Sequence, residues 1–295
     1  MTRTKAEAVR IAVSSLLMEA SAVMGGGPDA RLDAEVLLAH ALGAGREWLH
    51  AHPEAAAPEV VAERFLAMSR ERGSTGVPVA LLTGKREFHG LTLAMRRGVF
   101  VPRPETEGLV DLALSWLKEA RARGVRGPVA DPCCGTGAVG LAIAAASRER
   151  VVAGDRNPLA VETARGNAAA LGLASLVTVA EGDLMDQLAP GEPLAAVVCN
   201  PPYVDAAGMA ALPRGVRDFD PREALDGGPD GLDIVRRLGT GAAERLAPGG
   251  LLALEIGDGQ GAAVVAIMGA AGLGGVRIGR DLAGRERYAL AEKPS

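Results

Sequence analysis

Short apolar runs alternate with helical patterns along the chain from residue 128 onward. Each run has the length of a β-strand, and the stretches between the runs have the 3.6-residue spacing of amphipathic helices. The predicted strands are Val129–Cys133, Val151–Gly154, Leu176–Ala180, Ala195–Cys199, Leu251–Ile256, Gly275–Ile278 and Tyr288–Ala291. Four helices are predicted between these strands. The first begins at Ala138, the second spans Leu159–Leu171, the third lies near Leu232–Leu246, and the last follows Leu251–Ile256. This alternation predicts an α/β domain with a mostly parallel sheet, helices on both faces and ligands at the carboxyl ends of the strands.

Residues 1–72 show helical patterns only. A first amphipathic helix is predicted from the spacing of Val9, Val13, Leu16, Leu17, Ala20 and Val23. A second is predicted over about Asp29–Leu42, with Pro28 near its first turn and Gly43 as its stop. Another follows Pro58. The apolar faces of these helices are short, so the helices are expected to pack on each other or on the rest of the chain.

The segment after these helices changes character. Pro78–Leu82 and Leu91–Met95 are apolar and flank a turn-rich centre, which predicts a β-hairpin. A helix is expected near Thr106–Arg123, after a proline-rich stretch. Three parts are therefore predicted: a helical domain over 1–75, a hairpin linker over 76–104 and an α/β domain over 105–295.

Composition and charge narrow the range of functions. Hydrophobic residues make up 48% of the chain and charged residues 23%, which is ordinary for a soluble protein. The net charge of −4 and the 3% of aromatic residues argue against direct nucleic-acid binding, which needs basic stripes or stacking platforms. The three cysteines fit neither a disulfide framework nor a metal site. No membrane span and no signal peptide are expected, so a cytoplasmic location is predicted.

The most specific motif is Asn200-Pro201-Pro202-Tyr203, directly after the predicted strand Ala195–Cys199. Each proline fixes φ and lacks an N–H group, so the turn presents hydrogen-bond acceptors at a strand tip. Such a turn suits an amide or exocyclic amine, whose nitrogen is a poor nucleophile. Acceptance of its two N–H bonds by the Asn200 side-chain oxygen and the Pro201 carbonyl would orient that nitrogen for attack. Tyr203 is expected to pack against the planar group.

A second motif, Asp131-Pro132-Cys133-Cys134-Gly135-Thr136-Gly137, joins a predicted strand to a helix. Glycines at such a turn let the backbone approach a ligand closely. Together with Gly140, Gly135 and Gly137 also satisfy the bare pattern of a dinucleotide-binding loop. The turn at Asn200 favours a methyltransferase that uses S-adenosylmethionine (SAM) over a dehydrogenase.

Two aspartates after the next strands extend this nucleoside site. Asp155 follows the glycines by about 20 residues, where an acidic side chain can accept both ribose hydroxyls. That contact would serve NAD and SAM equally. Asp183 follows the third strand and could accept from an adenine amino group. A helix N-cap at Asp155 and a turn aspartate at Asp183 are the structural alternatives.

These motifs resemble the HemK/PrmC family, the release-factor glutamine N5-methyltransferases, over nearly the whole chain. The resemblance is carried by Leu82–Phe88, Val101–Glu107, Asn200–Tyr203, Arg217–Arg222, Ala224–Gly228 and Asp281–Arg285. It implies a seven-stranded, Rossmann-like SAM-dependent methyltransferase domain, preceded by a small helical domain and a hairpin linker. The implied substrate is the glutamine of the Gly-Gly-Gln motif in bacterial class-1 peptide chain release factors.

The resemblance also implies roles for individual residues. Asn200 and Pro201 would hold the glutamine amide, with Pro202 and Tyr203 completing the catalytic turn. The residues implied around SAM are Asp131, Cys133, Gly135, Thr136, Gly137, Asp155 and Asp183, with Phe100, Arg103, Thr106 and Asn200 near the site. No metal is implied. The family usually has glycine where this chain has Cys133, and a cysteine there would be strained if φ were positive.

Several alternatives stay open at this stage. The same chemistry could act on another protein glutamine, such as one on a ribosomal protein. DNA adenine N6-methylation uses a similar turn, but the acidic charge argues against it. A SAM-binding module without activity is a further alternative. Residues 1–75 are expected to dock the substrate protein, and a monomer is expected.

Overall fold

The computed structural model describes residues 11–187 and 191–295, which divide into two compact units. The first unit combines the chain up to Gly84 with Arg214–Phe219, and the second combines Lys85–Pro213 with Asp220–Ser295. The α-helices are α1 Val13–Val23, α2 Gly27–Leu42, α3 Arg46–Ala51, α4 Glu59–Thr75, α5 Val79–Thr83, α6 Thr106–Ala122, α7 Ala138–Ser147, α8 Pro158–Ala170, α9 Ala206–Ala211, α10 Arg214–Arg217, α11 Asp233–Arg245 and α12 Gly261–Ala270. The strands are β1 Ile11–Ala12, β2 Ala56–Ala57, β3 Lys85–Phe88, β4 Leu91–Ala94, β5 Val129–Asp131, β6 Val151–Asp155, β7 Val177–Glu181, β8 Leu194–Cys199, β9 Leu246–Glu255, β10 Gly274–Arg280 and β11 Glu286–Glu292.

The first unit is a small helical bundle built on α1, α2 and α4. Its core includes the fully buried side chains of Leu16, Leu37 and Phe65. The predicted helix α2 is confirmed, and Gly43 ends it in the left-handed conformation that glycine adopts without strain. The sequence patterns missed α3 and the two-residue pairing of β1 with β2. The part of the first predicted helix that precedes residue 11 lies outside the described residues.

A buried carboxylate, Glu35 on α2, anchors an ion-pair cluster within this unit. Its side chain is 6% exposed and accepts from Arg31 Nε at 3.0 Å and from Arg46 Nη2 at 2.8 Å. His50 Nε2 lies 3.4 Å from the same carboxylate. Burial alone would raise the pKa of Glu35, but the hydrogen bonds from Arg46 and Arg31 outweigh it and lower that pKa. The ionised carboxylate therefore stabilises the folded unit.

Substitution of Glu35 by glutamine is expected to lower the free energy of unfolding by about 1–3 kcal/mol near pH 7, because charge-assisted hydrogen bonds are lost. Since the folded pKa is depressed, the contribution of Glu35 is present above its usual value of 4.5 and disappears as the pH falls through the folded pKa. Urea unfolding at pH 7 and at acid pH measures this. Glu63→Gln, at an exposed position of α4, is the control. A deficit in Glu35→Gln that persists unchanged in acid would contradict the ion-pair account.

The second unit is built on a mixed sheet, which over the described residues has seven strands in the order β10-β11-β9-β8-β5-β6-β7. The five strands from β5 to β9 run parallel, and β11 pairs antiparallel with β9. β8 is buried at every position, as expected of a central strand covered by helices on both faces. The predicted α/β fold is confirmed. The strand order reverses between β5 and β8, and ligands of such sheets bind at the carboxyl ends beside that reversal.

The predicted hairpin is correct in its second strand and wrong in its first. Pro78–Leu82 was expected to be extended, whereas Val79–Thr83 forms the helix α5. Gly84 ends that helix with φ +69°, so it is a helix cap and not part of the hairpin turn. The hairpin instead pairs β3 with β4 across His89 and Gly90. Both residues have positive φ, as a two-residue turn of type I′ requires.

Candidate active site

The turn after β8 carries the carboxamide of Asn200 at the carboxyl edge of the sheet. Asn200 Nδ2 donates a hydrogen bond to the hydroxyl oxygen of Thr106 at 3.2 Å. Thr106 is the first residue of α6, so the start of this helix holds the side chain at the strand end. Pro201, which follows Asn200, is buried, and Pro202 is half-buried. The structure thus brings together Asn200 and Thr106, two residues that the sequence analysis placed in the site.

Glu255 is a buried carboxylate beside this turn that the sequence analysis missed. It is the last residue of β9 and is 1% exposed. Glu255 Oε2 accepts the Thr106 hydroxyl at 2.6 Å, and Oε1 accepts the Tyr203 hydroxyl at 3.1 Å. Burial raises the pKa of Glu255, and the two hydroxyl donors only partly offset this. The available signal was a single carboxylate inside the apolar run Leu251–Ile256.

Tyr203 is held at both its hydroxyl and its backbone. Its carbonyl oxygen accepts from Gln260 Nε2 at 2.9 Å, while its hydroxyl donates to Glu255. Burial and the nearby Glu255 carboxylate raise the pKa of the Tyr203 hydroxyl far above neutrality. Tyr203 is therefore a neutral hydrogen-bond donor at working pH. Its ring is fixed beside the turn that carries Asn200, where a planar group could stack.

The glycine loop between β5 and α7 has one glycine that faces open space and one that is closely packed. Gly135 and Gly137 both have positive φ, at 53° and 84°. A β-carbon on Gly135 would meet no atom within 4 Å, whereas one on Gly137 would lie 2.9 Å from a methyl carbon of Leu141. The Gly137 N–H group donates to the carbonyl of Cys134 at 2.7 Å, which closes the loop. The open side of Gly135 leaves room for a ligand to approach the backbone.

Two carboxylates hold this loop in place. The buried Asp131 accepts the N–H of Gly140 at 2.9 Å, and burial raises the pKa of Asp131 to about 7. Asp155 Oδ2 accepts the N–H of Gly135 at 2.9 Å, and its Oδ1 accepts the N–H of Asn157 at 2.9 Å. Burial also raises the pKa of Asp155. A carboxylate has about four lone-pair sites, so Asp155 retains capacity to accept ligand hydroxyls.

The strain considered for Cys133 does not arise. Among the described non-glycine residues, only His89, Arg148 and Leu184 have positive φ, so Cys133 has an ordinary backbone conformation. Its half-buried side chain packs against the core that contains Cys199. Cysteine in place of the family's usual glycine is therefore compatible with this loop.

Asp183 follows β7, where the sequence placed it, but its carboxylate already has a partner. Arg237 Nη2 of α11 donates to Asp183 Oδ2 at 2.7 Å. The Asp183 side chain is 48% exposed, so this ion pair is well solvated. Any ligand contact at Asp183 would share the carboxylate with Arg237.

Asp220 is a second residue that the sequence analysis missed, and it organises the segment around Phe100 and Arg103. The Arg103 guanidinium lies 4.9 Å from the centre of the Phe100 ring and pairs with the buried Asp220. Asp220 Oδ1 also accepts the N–H of Val101 at 3.2 Å. Burial raises the pKa of Asp220, and the charge of Arg103 counters that rise. Asp220 lies in Arg217–Arg222, a segment that carries the family resemblance, but this polar stretch has no periodicity that would assign a role to the side chain.

Asn167 on α8 connects the hairpin to the glycine loop. It is 2% exposed. Its Oδ1 accepts the N–H of Ala94 at 2.8 Å, and its Nδ2 donates to the carbonyls of Ala94 and Thr136 at 3.2 and 3.0 Å. The buried Thr136 hydroxyl has no hydrogen-bond partner among the described residues. A buried hydroxyl without a partner costs free energy, which a ligand atom could recover.

The loop therefore fits the nucleoside part of SAM in three respects. Gly135 leaves open space at the backbone, Asp155 has spare acceptor capacity, and the Thr136 hydroxyl lacks a partner. A metal site has no comparable support: within residues 11–187 and 191–295, no group of three or more His, Cys, Asp or Glu side chains could hold an ion. No helix in the described part of the chain is long and apolar enough to cross a membrane.

Comparison with protein families and curated proteins gives matches to both units. The family model described as the PrmC N-terminal domain matches residues 15–84, and the one described as the methyltransferase small domain matches residues 91–212. A release factor glutamine methyltransferase from Moorella thermoacetica is 42% identical over 271 residues, which cover 90% of this chain and 93% of the relative. A release factor glutamine methyltransferase from Xylella fastidiosa is 40% identical over 265 residues, covering 90% and 94%.

Solved structures share the fold. The T. thermophilus 16S rRNA N2 G1207 methyltransferase, solved in complex with AdoMet and guanosine, superposes with a TM-score of 0.50 at 21% identity. The match covers 71% of this chain and 49% of that one. At this identity the likeness concerns the arrangement of strands and helices alone.

Proposed function

This chain belongs to the family of release factor glutamine methyltransferases, and we propose that it methylates the side-chain nitrogen of the Gly-Gly-Gln glutamine in bacterial class-1 release factors. Like its family, it is an enzyme that uses SAM as the methyl donor. The observation that best supports the proposal is the Asn200 carboxamide, held by Thr106 at the carboxyl edge of the sheet. A monomeric state and a cytoplasmic location stay predictions from the sequence.

In the proposed mechanism the turn at Asn200 orients a weak nucleophile. An amide nitrogen attacks poorly because its lone pair is delocalised into the carbonyl group. The Asn200 side-chain oxygen and the Pro201 carbonyl would accept its two N–H bonds, which fixes the nitrogen and favours its pyramidal form. Tyr203 would pack on the amide plane. Positioning of this kind supplies most of the rate enhancement, and no strong general base is required if the proton leaves after methylation.

The methyl donor would be held by the glycine loop and the carboxylates around it. We assign Asp155 to the ribose hydroxyls, Gly135 and Gly137 to close backbone approach, and Asp183 to the adenine amino group. The Thr136 hydroxyl, which has no partner among the described residues, could form a hydrogen bond with SAM. When bound, SAM supplies the electrophilic methyl group. Arg103 belongs to the segment that the family resemblance places near SAM, and its side chain is held by an ion pair with Asp220.

The proposal is tested by incubating the purified protein with labelled SAM and a bacterial class-1 release factor. A release factor with Gln→Ala at the Gly-Gly-Gln site is the matched control. Label is expected in the wild-type factor alone, and mass spectrometry of the digested factor is expected to show methylglutamine. Label in both factors, or in neither while calorimetry shows SAM binding, would contradict the proposed substrate. In that case glutamines of ribosomal proteins are the next substrates to assay.

We further propose that the first unit docks the release factor. It is a separate compact unit, and the residues that match the PrmC N-terminal domain model lie within it. Several of its large apolar side chains are exposed, including Met18 at 70% and Val60 at 76%. Methionine is among the residues enriched at protein interfaces, so Met18 is a candidate contact for a protein partner.

Removal of residues 1–72 is expected to raise KM for the whole release factor, while KM for a short Gly-Gly-Gln peptide changes little. The peptide carries the reacting glutamine but lacks the surface that would dock. Steady-state kinetics with both substrates measure the difference. Met18→Lys/Val60→Lys in the full chain tests these two exposed side chains without truncation, and Glu63→Lys on α4 is an exposed control. Equal rises in KM for protein and peptide would contradict a docking role.

A further inference from the structure

The hydroxyl of Thr106 lies between a carboxylate and a carboxamide and has a single proton to give. Glu255 Oε2 is 2.6 Å from Thr106 Oγ1, and Asn200 Nδ2 is 3.2 Å from the same oxygen. The Thr106 and Tyr203 donors and the Arg287 charge favour the ionised form of Glu255 against the effect of burial. In that form the carboxylate can only accept hydrogen bonds, so the Thr106 proton points to Glu255. The Thr106 oxygen must then accept its other hydrogen bond, and the donor is the NH₂ group of Asn200.

We propose that Glu255 is a positioning residue that sets which end of the Asn200 carboxamide faces the substrate. By holding the Thr106 proton, the Glu255 carboxylate keeps Asn200 Nδ2 turned inward and leaves Oδ1 free to accept an N–H of the target amide. The proposal rests on the proposed function, in which the substrate offers N–H donors to Asn200. It adds a relay of two residues, Thr106 and Glu255, behind the catalytic turn.

The relay depends on the charge of Glu255. With a neutral group at this position, the Thr106 hydroxyl could accept from it and donate to Asn200 instead. The carboxamide would then turn its oxygen inward and present two N–H donors to a substrate that itself offers donors. Two like donors facing each other cannot form the hydrogen bond that orients the nucleophile.

The Glu255 carboxylate accepts hydrogen bonds from two hydroxyl groups. Tyr203 donates to the oxygen that Thr106 does not use, so both oxygens are engaged. Of the charged and titratable groups around it, Arg287 favours the ionised form and Glu105 opposes it, while burial raises the pKa of Glu255. Burial and the Glu255 charge also raise the pKa of Tyr288 to about 12, so that phenol stays neutral.

The relay can be tested by substitutions that make the Thr106 hydroxyl donate to residue 200 and not to residue 255. In Asn200→Asp, two carboxylates compete for the one Thr106 proton, and we expect kcat to fall by about a hundredfold or more. Glu255→Gln alone is expected to lower kcat about tenfold because the carboxamide is no longer held in one orientation. In Asn200→Asp/Glu255→Gln, the NH₂ group of the introduced glutamine can donate to Thr106, whose proton then serves the new aspartate. The free oxygen of that aspartate can accept from the substrate.

We therefore expect the double variant to be at least about tenfold more active than Asn200→Asp. The effects of the two substitutions on kcat are then not additive, as expected for residues in one hydrogen-bond network. The assay is label transfer from SAM to the release factor with the full-length chain. Thr106→Ser is expected to retain activity and Thr106→Val to lose it, because serine keeps the relaying hydroxyl. SAM dissociation constants measured by calorimetry are expected to change much less than kcat.

The melting temperature Tm tests the relay independently of activity. Two carboxylates around one proton should lower the Tm of Asn200→Asp by about 2–4 °C, and Glu255→Gln should restore it. A double variant no more active and no more stable than Asn200→Asp would overturn the relay, as would an Asn200→Asp variant with wild-type turnover. A wild-type enzyme that leaves the release factor unlabelled would instead contradict the proposed substrate, and the Tm comparison would still decide the relay.

Discussion

Replacing Asn200 with alanine is expected to lower kcat by about 10²–10³-fold while SAM binding is retained. The substitution removes the acceptor that orients the target amide, and loss of one such transition-state contact has an effect of this size. The start of α6 and the buried strand β8 fix the neighbouring backbone, so the fold should not depend on this side chain. Label transfer to the release factor gives kcat, and calorimetry gives the SAM dissociation constant.

Tyr203→Phe provides a graded comparison with the alanine variant. It removes only the hydroxyl that donates to Glu255 and keeps the ring that would pack on the amide. We expect a loss of about tenfold or less, because the net contribution of one such hydrogen bond is about 1 kcal/mol. Should Asn200→Ala retain wild-type turnover, the assignment of Asn200 as the residue that orients the amide would be wrong.

The order of strands and helices was predictable because the central strands of a parallel sheet are short, nearly continuous apolar runs. β8 is an example: all six of its residues are buried, and the sequence shows an unbroken apolar run there. Pro78–Leu82 shows the limit of this reasoning, since a five-residue apolar run fits a strand and a buried helix equally. Its helical form is set by the Gly84 cap and by packing within the first unit.

In the candidate site, too, some residues were predictable from the sequence and others were not. Asn200 and Gly135 stood out because prolines and glycines constrain the local backbone, and those constraints are visible in a single segment. Glu255 and Asp220 did not, because each acts on a residue far along the chain. Thr106 and Glu255 are 149 positions apart, and Arg103 and Asp220 are 117 apart. A local pattern can mark Glu255 as a carboxylate inside an apolar run, but only the folded sheet shows which distant side chain each residue contacts.

Asp155 is the residue whose loss should most weaken SAM binding. It lies at the end of β6, and each of its oxygens accepts one backbone N–H group, from Gly135 and from Asn157. The remaining lone pairs are free for two ribose hydroxyls. Removing the carboxylate would therefore delete ligand contacts and also release the N–H of Gly135, the residue that leaves open space in the loop.

Asp155→Ala is expected to raise the SAM dissociation constant by about 10–100-fold, as hydrogen bonds to a charged group contribute about 1.5–3 kcal/mol. Asp183→Ala is the comparison within the proposed site: its carboxylate also follows a strand, but it is half-exposed and shared with Arg237. We expect its effect to be less than about fivefold, because exposed ion pairs contribute little. Calorimetric titration with SAM measures both, and Tm without SAM reports on the fold. A larger loss in Asp183→Ala than in Asp155→Ala would contradict the expectation that Asp155 contributes most to SAM binding.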